Sequence, residues 1–215
     1  LVRVIFEKST DQSKIALEVI MSVTERRLKE KQERVELILS AALKIFARRG
    51  LKEATIDEIA ALAELGKGTL YYYFDSKEAL LQALVVETSD QYFKGLLDHI
   101  QSEQDLLSLC NQIVENLLQN YRDNPDLFKV LYWILAEPET KFEHARRAFL
   151  DKHLDWIEDL EKSVKPLLKT KNISTKPFVD FIGTHTHGIV LSAVAGRDLK
   201  KIREESARAL KAFVN

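Results

Sequence analysis

The sequence predicts an all-α protein, and three observations carry that prediction. Glycine (7) and proline (4) are scarce among 215 residues. The abundant Leu, Ala, Glu and Lys lose little rotamer freedom in a helix. The chain also lacks the valine-rich, alternating stretches bounded by turn residues that strands require. The length is long for one small domain and short for two full-sized ones.

Residues 1–31 are weakly patterned and read as an N-terminal extension and basic arm, mobile or loosely helical. Met21, the only methionine, is the expected natural start. Residues 1–20 would then be an upstream extension or the product of a non-standard start codon. From Gln32 to Arg49, Val35, Ile38, Leu39, Ala42, Leu43, Ile45 and Phe46 recur at helical spacing. Gly50 ends that helix, where positive φ is wanted. Thr55-Ile-Asp-Glu58 is a capping box that opens a short helix, Ile56 to Ala63. A turn at Glu64-Leu65-Gly66 leads to a second short helix, Lys67 to about Phe74. Asp75-Ser-Lys-Glu78 repeats the cap signature and begins a long helix, Lys77 to about His99.

Asn124-Pro125 separates a helix over Gln104 to Arg122 from another over Asp126 to Ala136. Glu137-Pro138 breaks the chain before a long helix from Thr140 to roughly Lys165. A loop through Lys171 and Ser174 leads to Pro177, suited to a first helical turn. The last helices are Phe178 to Ala195 and Asp198 to Phe213.

Two short helices joined by a tight turn, on a longer preceding helix, are the minimal frame for reading a DNA major groove. On a helical wheel Leu70 and Phe74 share the core face. Gly68, Thr69 and Tyr72 point away from it, with Tyr71 and Tyr73 on the flanks. So short a helix cannot bury three tyrosines. Exposed phenols suit phosphate oxygens, sugars and thymine methyls. Gly68 costs about 1 kcal/mol of helix stability against alanine, a cost that close approach to a phosphate would justify. Lys67 and Lys77 supply charge at the edges.

The stretch Ile38-Leu-Ser-Ala-Ala-Leu-Lys-Ile-Phe46, Gly50, Thr55-Ile-Asp-Glu-Ile-Ala60 and Lys67-Gly-Thr-Leu-Tyr-Tyr-Tyr-Phe-Asp-Ser-Lys-Glu78 resembles the DNA-binding domain of the TetR family, over residues 32–92 with the motif at 55–74. That resemblance implies an all-helical homodimer, in most members a repressor. It also implies that the C-terminal domain, residues 93–215, binds a small effector and dimerises. Thr55, Lys67, Thr69, Tyr71, Tyr72, Tyr73 and Lys77 would then contact a double-stranded DNA operator, chiefly its phosphates, and Gly68 would allow close approach. The turn departs from the commonest family pattern. Glu64 stands where glycine is usual, and Gly66 where a serine-like cap is usual. Glu64 must take a left-handed conformation or alter the turn.

Beyond residue 92 no motif is specific. Phe128, Val130, Leu131, Tyr132, Trp133, Ile134 and Leu135 are apolar on every side of one helix, which predicts that other helices enclose it. The next helix carries a stripe of Phe142, Ala145, Phe149, His153, Trp156, Leu160 and Val164. His185 lies in a similar stripe with Phe178, Phe181, Ile182 and Ile189. Trp133, Phe149, His153, Trp156 and His185 are the candidate effector contacts, and a core position, hydrogen-bonded in the case of the histidines, is the other reading. His185-Thr-His187 is rejected as a metal site, because residues two apart on a helix point about 200° apart. Gly183, Gly188, Ser192, Ala193, Ala195 and Gly196 would permit close helix approach, inside the monomer or, as the resemblance implies, across a two-fold dimer interface built by the last two helices.

The net charge of −1 carries no global signal for nucleic acid. Between Thr24 and Lys52, however, Arg26, Arg27, Lys29, Lys31, Arg34, Lys44, Arg48, Arg49 and Lys52 outnumber Glu25, Glu30, Glu33 and Glu36. Such a local excess attracts phosphate, although a solvated helix face has the same composition. The lone Cys110 excludes an internal disulfide, fits a cytoplasmic location and reads as a buried small hydrophobe. No signal peptide or membrane span is expected, and neither a catalytic triad nor a glycine-rich phosphate loop is visible. The expectation is a cytoplasmic regulator without enzymatic activity, metal or cofactor, a repressor released from a palindromic operator by an apolar or amphipathic effector. An activator or a ligand-independent DNA binder is the alternative on the same fold.

Overall fold

A computed structural model describes residues 11–97, 105–137, 140–170 and 172–214. Within them every regular element is helical. The first ten residues, the expected helix end at His99, the helix start at Gln104, the break at Pro138 and the loop residue Lys171 lie outside the described residues.

Helix α1 spans Asp11–Glu53, so it begins well upstream of the expected Gln32 and takes in much of the arm. Gly50, at φ 84° and ψ 166°, interrupts it and offsets the final turn. Its apolar stripe, including Ile38, Ala42, Ile45 and Phe46, is buried. Helix α2 (Ile56–Leu62) packs on α1 and on α3 (Lys67–Tyr73), and α4 (Lys77–Leu97) also packs on α1. Ile59, Leu70, Leu80, Leu81 and Leu84 complete this small core.

Helix α5 (Leu106–Asp123) starts at Asp105, whose carboxylate accepts from the backbone N–H of Leu107 (2.9 Å) and Ser108 (3.2 Å). Cys110 is buried on it, and burial pushes its thiol up to about 12, which leaves it inert at neutral pH. Helix α6 (Pro125–Ala136) opens on Pro125, where the missing N–H removes no helical bond. Leu127, Phe128, Val130, Leu131 and Ile134 of α6 are buried. Tyr132 and Leu135 are exposed, contrary to the expected all-round enclosure, because that side of α6 faces a cavity mouth.

A 3-10 turn at Thr140–Phe142 precedes α7 (Glu143–Thr170), which runs past the expected end near Lys165 and straight through Pro166. Leu160, Val164 and Leu168, all fully buried, hold the helix on both sides of that proline. Helices α8 (Thr175–Val194) and α9 (Leu199–Val214) complete the chain, with Pro177 in the first turn of α8. Helix α4 lies along α7, and α6 packs on α1, so two separate contacts join the N-terminal helices to the larger domain.

Candidate nucleic-acid interface and ligand cavity

The capping box at the start of α2 is complete. Thr55 Oγ1 accepts from the Glu58 N–H at 3.2 Å, and the Thr55 N–H donates to Glu58 Oε2 at 3.2 Å. Arg49 adds a guanidinium contact to Glu58 Oε1 at 2.7 Å. Its hydrogen bond holds the Glu58 carboxyl below its ordinary range. The end of α2 runs into the turn through two backbone bonds. Leu65 N–H bonds the Ala60 carbonyl (2.9 Å) and Glu64 N–H bonds the Ala61 carbonyl (3.2 Å), the Schellman pattern. Glu64 resolves the ambiguity of the turn by adopting φ 55°, left-handed. Gly66 begins α3 with no side-chain cap.

On α3, Leu70 is 0% exposed and Phe74 is also buried, whereas Tyr72 is 78% exposed and Tyr71 44%. Tyr73 is half-buried and meets Tyr72 edge-on at 5.2 Å. Thr55, Lys67, Gly68 and Thr69 are all exposed, so these residues share one open surface around α3. Lys67 Nζ pairs with Asp57 at 2.9 Å, which holds the ammonium above its ordinary value. A phosphate would have to compete with that carboxylate. Lys77 stands apart from the rest. Its Nζ donates to the carbonyls of Lys52 (2.8 Å) and Ala54 (2.9 Å), closing the end of α1 against the start of α4.

A cavity of ≈ 320 Å3 lies between α4, α6, α7 and α8. Helix α4 contributes Tyr92 and Phe93. Helix α6 contributes Phe128, Leu131, Tyr132, Leu135 and Ala136. Phe149, His153 and Trp156 come from α7, and Thr186, His187, Val190 and Leu191 from α8. Of the five expected effector contacts, Phe149, His153 and Trp156 are therefore brought together. Trp133 lies instead in a cleft against Arg49 to Glu53 of α1. His185 lies on the other side of α8, where Nε2 and Ser206 Oγ of α9 are hydrogen-bonded at 2.6 Å.

His187 takes the place expected for His185, with its ring 4.7 Å from that of His153. Helical spacing does relate Thr186, His187, Val190 and Leu191 as one face. Nothing in the sequence said which face α7 would meet. Burial, with a smaller contribution from His187, lowers the His153 imidazole to about 4, so it is neutral at physiological pH. The small residues of α8 divide the same way. A Cβ on Gly183 would sit 3.0 Å from Ile157 of α7, and Ala193 is buried, whereas Gly188 faces open space. No cluster of three His, Cys, Asp or Glu that could hold a metal ion occurs among the described residues, and none of their helices is long and apolar enough to cross a membrane.

Comparison with known proteins matches residues 38–84 to the family model of bacterial regulatory proteins, tetR family. Two HTH-type transcriptional regulators of Bacillus subtilis (strain 168) are similar over part of the chain. YuxN is 39% identical over 67 residues, 31% of this chain and 23% of YuxN. YhgD is 40% identical over 73 residues, 34% of each chain. The chain thus spans only about a quarter to a third of these relatives' length at that identity. The fold similarity is wider. The structure of FadR from Bacillus subtilis in complex with stearoyl-CoA superposes with a TM-score of 0.68 at 17% identity, covering 81% of this chain and 96% of that one. A capped helix, a left-handed turn, an exposed tyrosine-rich helix and the matching family model together place residues 38–84 in the TetR family of bacterial regulatory proteins.

Proposed function

We propose that the chain is a cytoplasmic transcriptional repressor that holds a palindromic double-stranded DNA operator as a homodimer and releases it when a small apolar or amphipathic molecule fills the cavity. The observation that carries this reading is the sharing of elements between the two sites. Helix α4 supplies Leu80, Leu81 and Leu84 to the core beneath α3, and Tyr92 and Phe93 to the cavity. Helix α6 lines the cavity with Leu131 and Leu135, and its last turn meets α1. There Glu137 lies 3.2 Å from Lys52, while Arg146 of α7 donates to the Ile134 and Glu137 carbonyls. A ligand that prefers one setting of α4 and α6 would bias the DNA-reading helices by the difference in its affinities. On this reading α4 and α6 together act as the levers.

In this reading residues 32–92 read DNA, residues 93–215 bind effector and dimerise, and the role is regulatory rather than catalytic. The basic arm, residues 1–31, precedes them. Thr55, Lys67, Gly68, Thr69, Tyr71, Tyr72 and Tyr73 form the DNA surface, and Lys77 supports it from behind. Dimerisation through α8 and α9 is supported by the outward Gly188 and by the exposed Phe213. The stearoyl-CoA in the similar FadR structure supports an apolar ligand.

The test is fluorescence anisotropy with DNA from beside the chain's own gene. The reading expects a saturable, sequence-dependent complex of two chains per site. Tyr72→Ala should weaken it at least about tenfold, the scale of one lost well-packed contact. Binding that is insensitive to Tyr72→Ala would sink the site assignment. Binding without sequence preference would favour the ligand-independent alternative.

A further inference from the structure

The chemistry of the cavity narrows its occupant, on the reading that this cavity is the effector site. Phe93, Phe128, Phe149 and Trp156 form a buried aromatic wall. No lysine, arginine, aspartate or glutamate lines the cavity among the described residues. A charged ligand group placed there would shed its hydration without meeting an opposite charge, a penalty greater than contact with an aromatic face returns. Low polarity is also what keeps the His153 ring neutral.

The polar groups that remain are few, and their hydrogen-bonding roles can be worked out. Thr186 Oγ1 already donates to the Gly183 carbonyl at 2.8 Å. His187 Nδ1 lies 2.7 Å from the same carbonyl oxygen, which can only accept. In its neutral form this ring therefore carries its proton on Nδ1 and leaves Nε2 as an acceptor. His153 meets the His187 ring edge-on, and a neutral His153 offers one N–H donor. Trp156, stacked on His153 at 5.8 Å, is buried with its Nε1–H unpartnered. The wall, which Tyr92 and Tyr132 also line, therefore presents the His153 donor and the His187 acceptor side by side, with the Trp156 Nε1–H as a second donor. A hydroxyl group satisfies both imidazoles at once, since its oxygen accepts while its proton is donated.

We propose that the cavity takes an uncharged, mainly apolar molecule bearing one hydroxyl, an alcohol or a phenol. The hydroxyl bridges the His153 and His187 imidazoles, and the carbon skeleton lies against Phe93, Phe128 and Phe149. His187 is exposed, and Tyr132, Leu135 and Leu191 stand partly exposed beside it, so the polar end sits toward the mouth and the apolar end inside.

Calorimetry on the full chain at neutral pH, with four probes sharing one para-hexylphenyl group, tests this. Para-hexylphenol should bind. Para-hexylanisole, in which a methyl group replaces the hydroxyl proton, should bind about fivefold more weakly, the worth of one neutral hydrogen bond. Para-hexylbenzoate and para-hexylbenzylammonium should bind at least about a hundredfold more weakly, because an unpaired charge is buried. In His187→Phe the preference for phenol over anisole should vanish while anisole affinity persists. Equal affinity for phenol and anisole, a charged probe binding as tightly as the phenol, or no binding of any probe would overturn the proposal. These readouts on the unsubstituted chain do not depend on the variant folding. The regulatory reading fails separately: phenol that binds without lowering affinity for DNA would refute the effector role and leave the ligand class standing.

Discussion

A Cβ built on Gly68 would meet nothing within 4 Å, so the monomer has no packing use for a glycine in the first turn of α3. Gly68→Ala should therefore raise stability by about 1 kcal/mol through helix propensity alone. The same substitution should weaken binding to operator DNA if that face meets a phosphate. Urea denaturation beside a DNA titration reads both effects, and unchanged DNA affinity would remove Gly68 from the interface. Glu64 makes the opposite trade. Its left-handed backbone costs a side-chain-bearing residue about 1–2 kcal/mol relative to glycine, partly offset by the greater freedom of glycine when unfolded. Glu64→Gly should thus stabilise the chain by about 1 kcal/mol in the same assay. A fall in stability would mean that the glutamate side chain supports the turn.

Lys77 decides a question about elements rather than about one contact. Its two bonds to the Lys52 and Ala54 carbonyls join the end of α1 to the start of α4. Lys77→Met keeps the aliphatic stem and should cost about 1 kcal/mol, the net worth of hydrogen bonds whose acceptors are exposed or only half-buried. Chemical denaturation checks this, and a variant as stable as its parent would return Lys77 to the role of a simple DNA contact. Helix α7 shows how packing overrides a local rule. Proline removes one backbone donor from a helix, and the sequence spacing predicts an end near Lys165, just before Pro166. The helix instead continues to Thr170, because the buried Val164 and Leu168 bracket Pro166 and anchor the chain on both sides of it.

At the scale of the whole molecule, the buried histidines link stability to pH. His153 titrates near 6.5 when unfolded and near 4 when folded. The unfolded chain therefore binds more protons between those values, and stability must fall as pH drops from about 6.5 toward 4. His185, lowered by burial, acts in the same direction. Melting temperatures measured across that window should decline for the parent chain and decline less for His153→Phe. Parallel curves for the two proteins would mean that His153 is not desolvated in solution.

By itself the sequence determined the helical class, the capping box, the wheel of α3 and the family of residues 38–84, because all of these are written in local spacing. Leu70 and Phe74 point inward and Tyr72 outward by helical geometry alone. The cavity belongs to tertiary structure. Phe149, His153 and Trp156 were legible as one stripe of α7, but a stripe does not say whether it meets a core or a lumen. The choice of His187 over His185, and the displacement of Trp133 toward α1, depend on how α7 and α6 rotate against neighbours distant in sequence. Both histidines of α8 lie on partly apolar faces, and only packing selects which face closes on α7. The double role of α6, as cavity wall and as support for α1, arises from the same cause. Local spacing sets which side of a helix is apolar, whereas only the assembled helices set what that side touches.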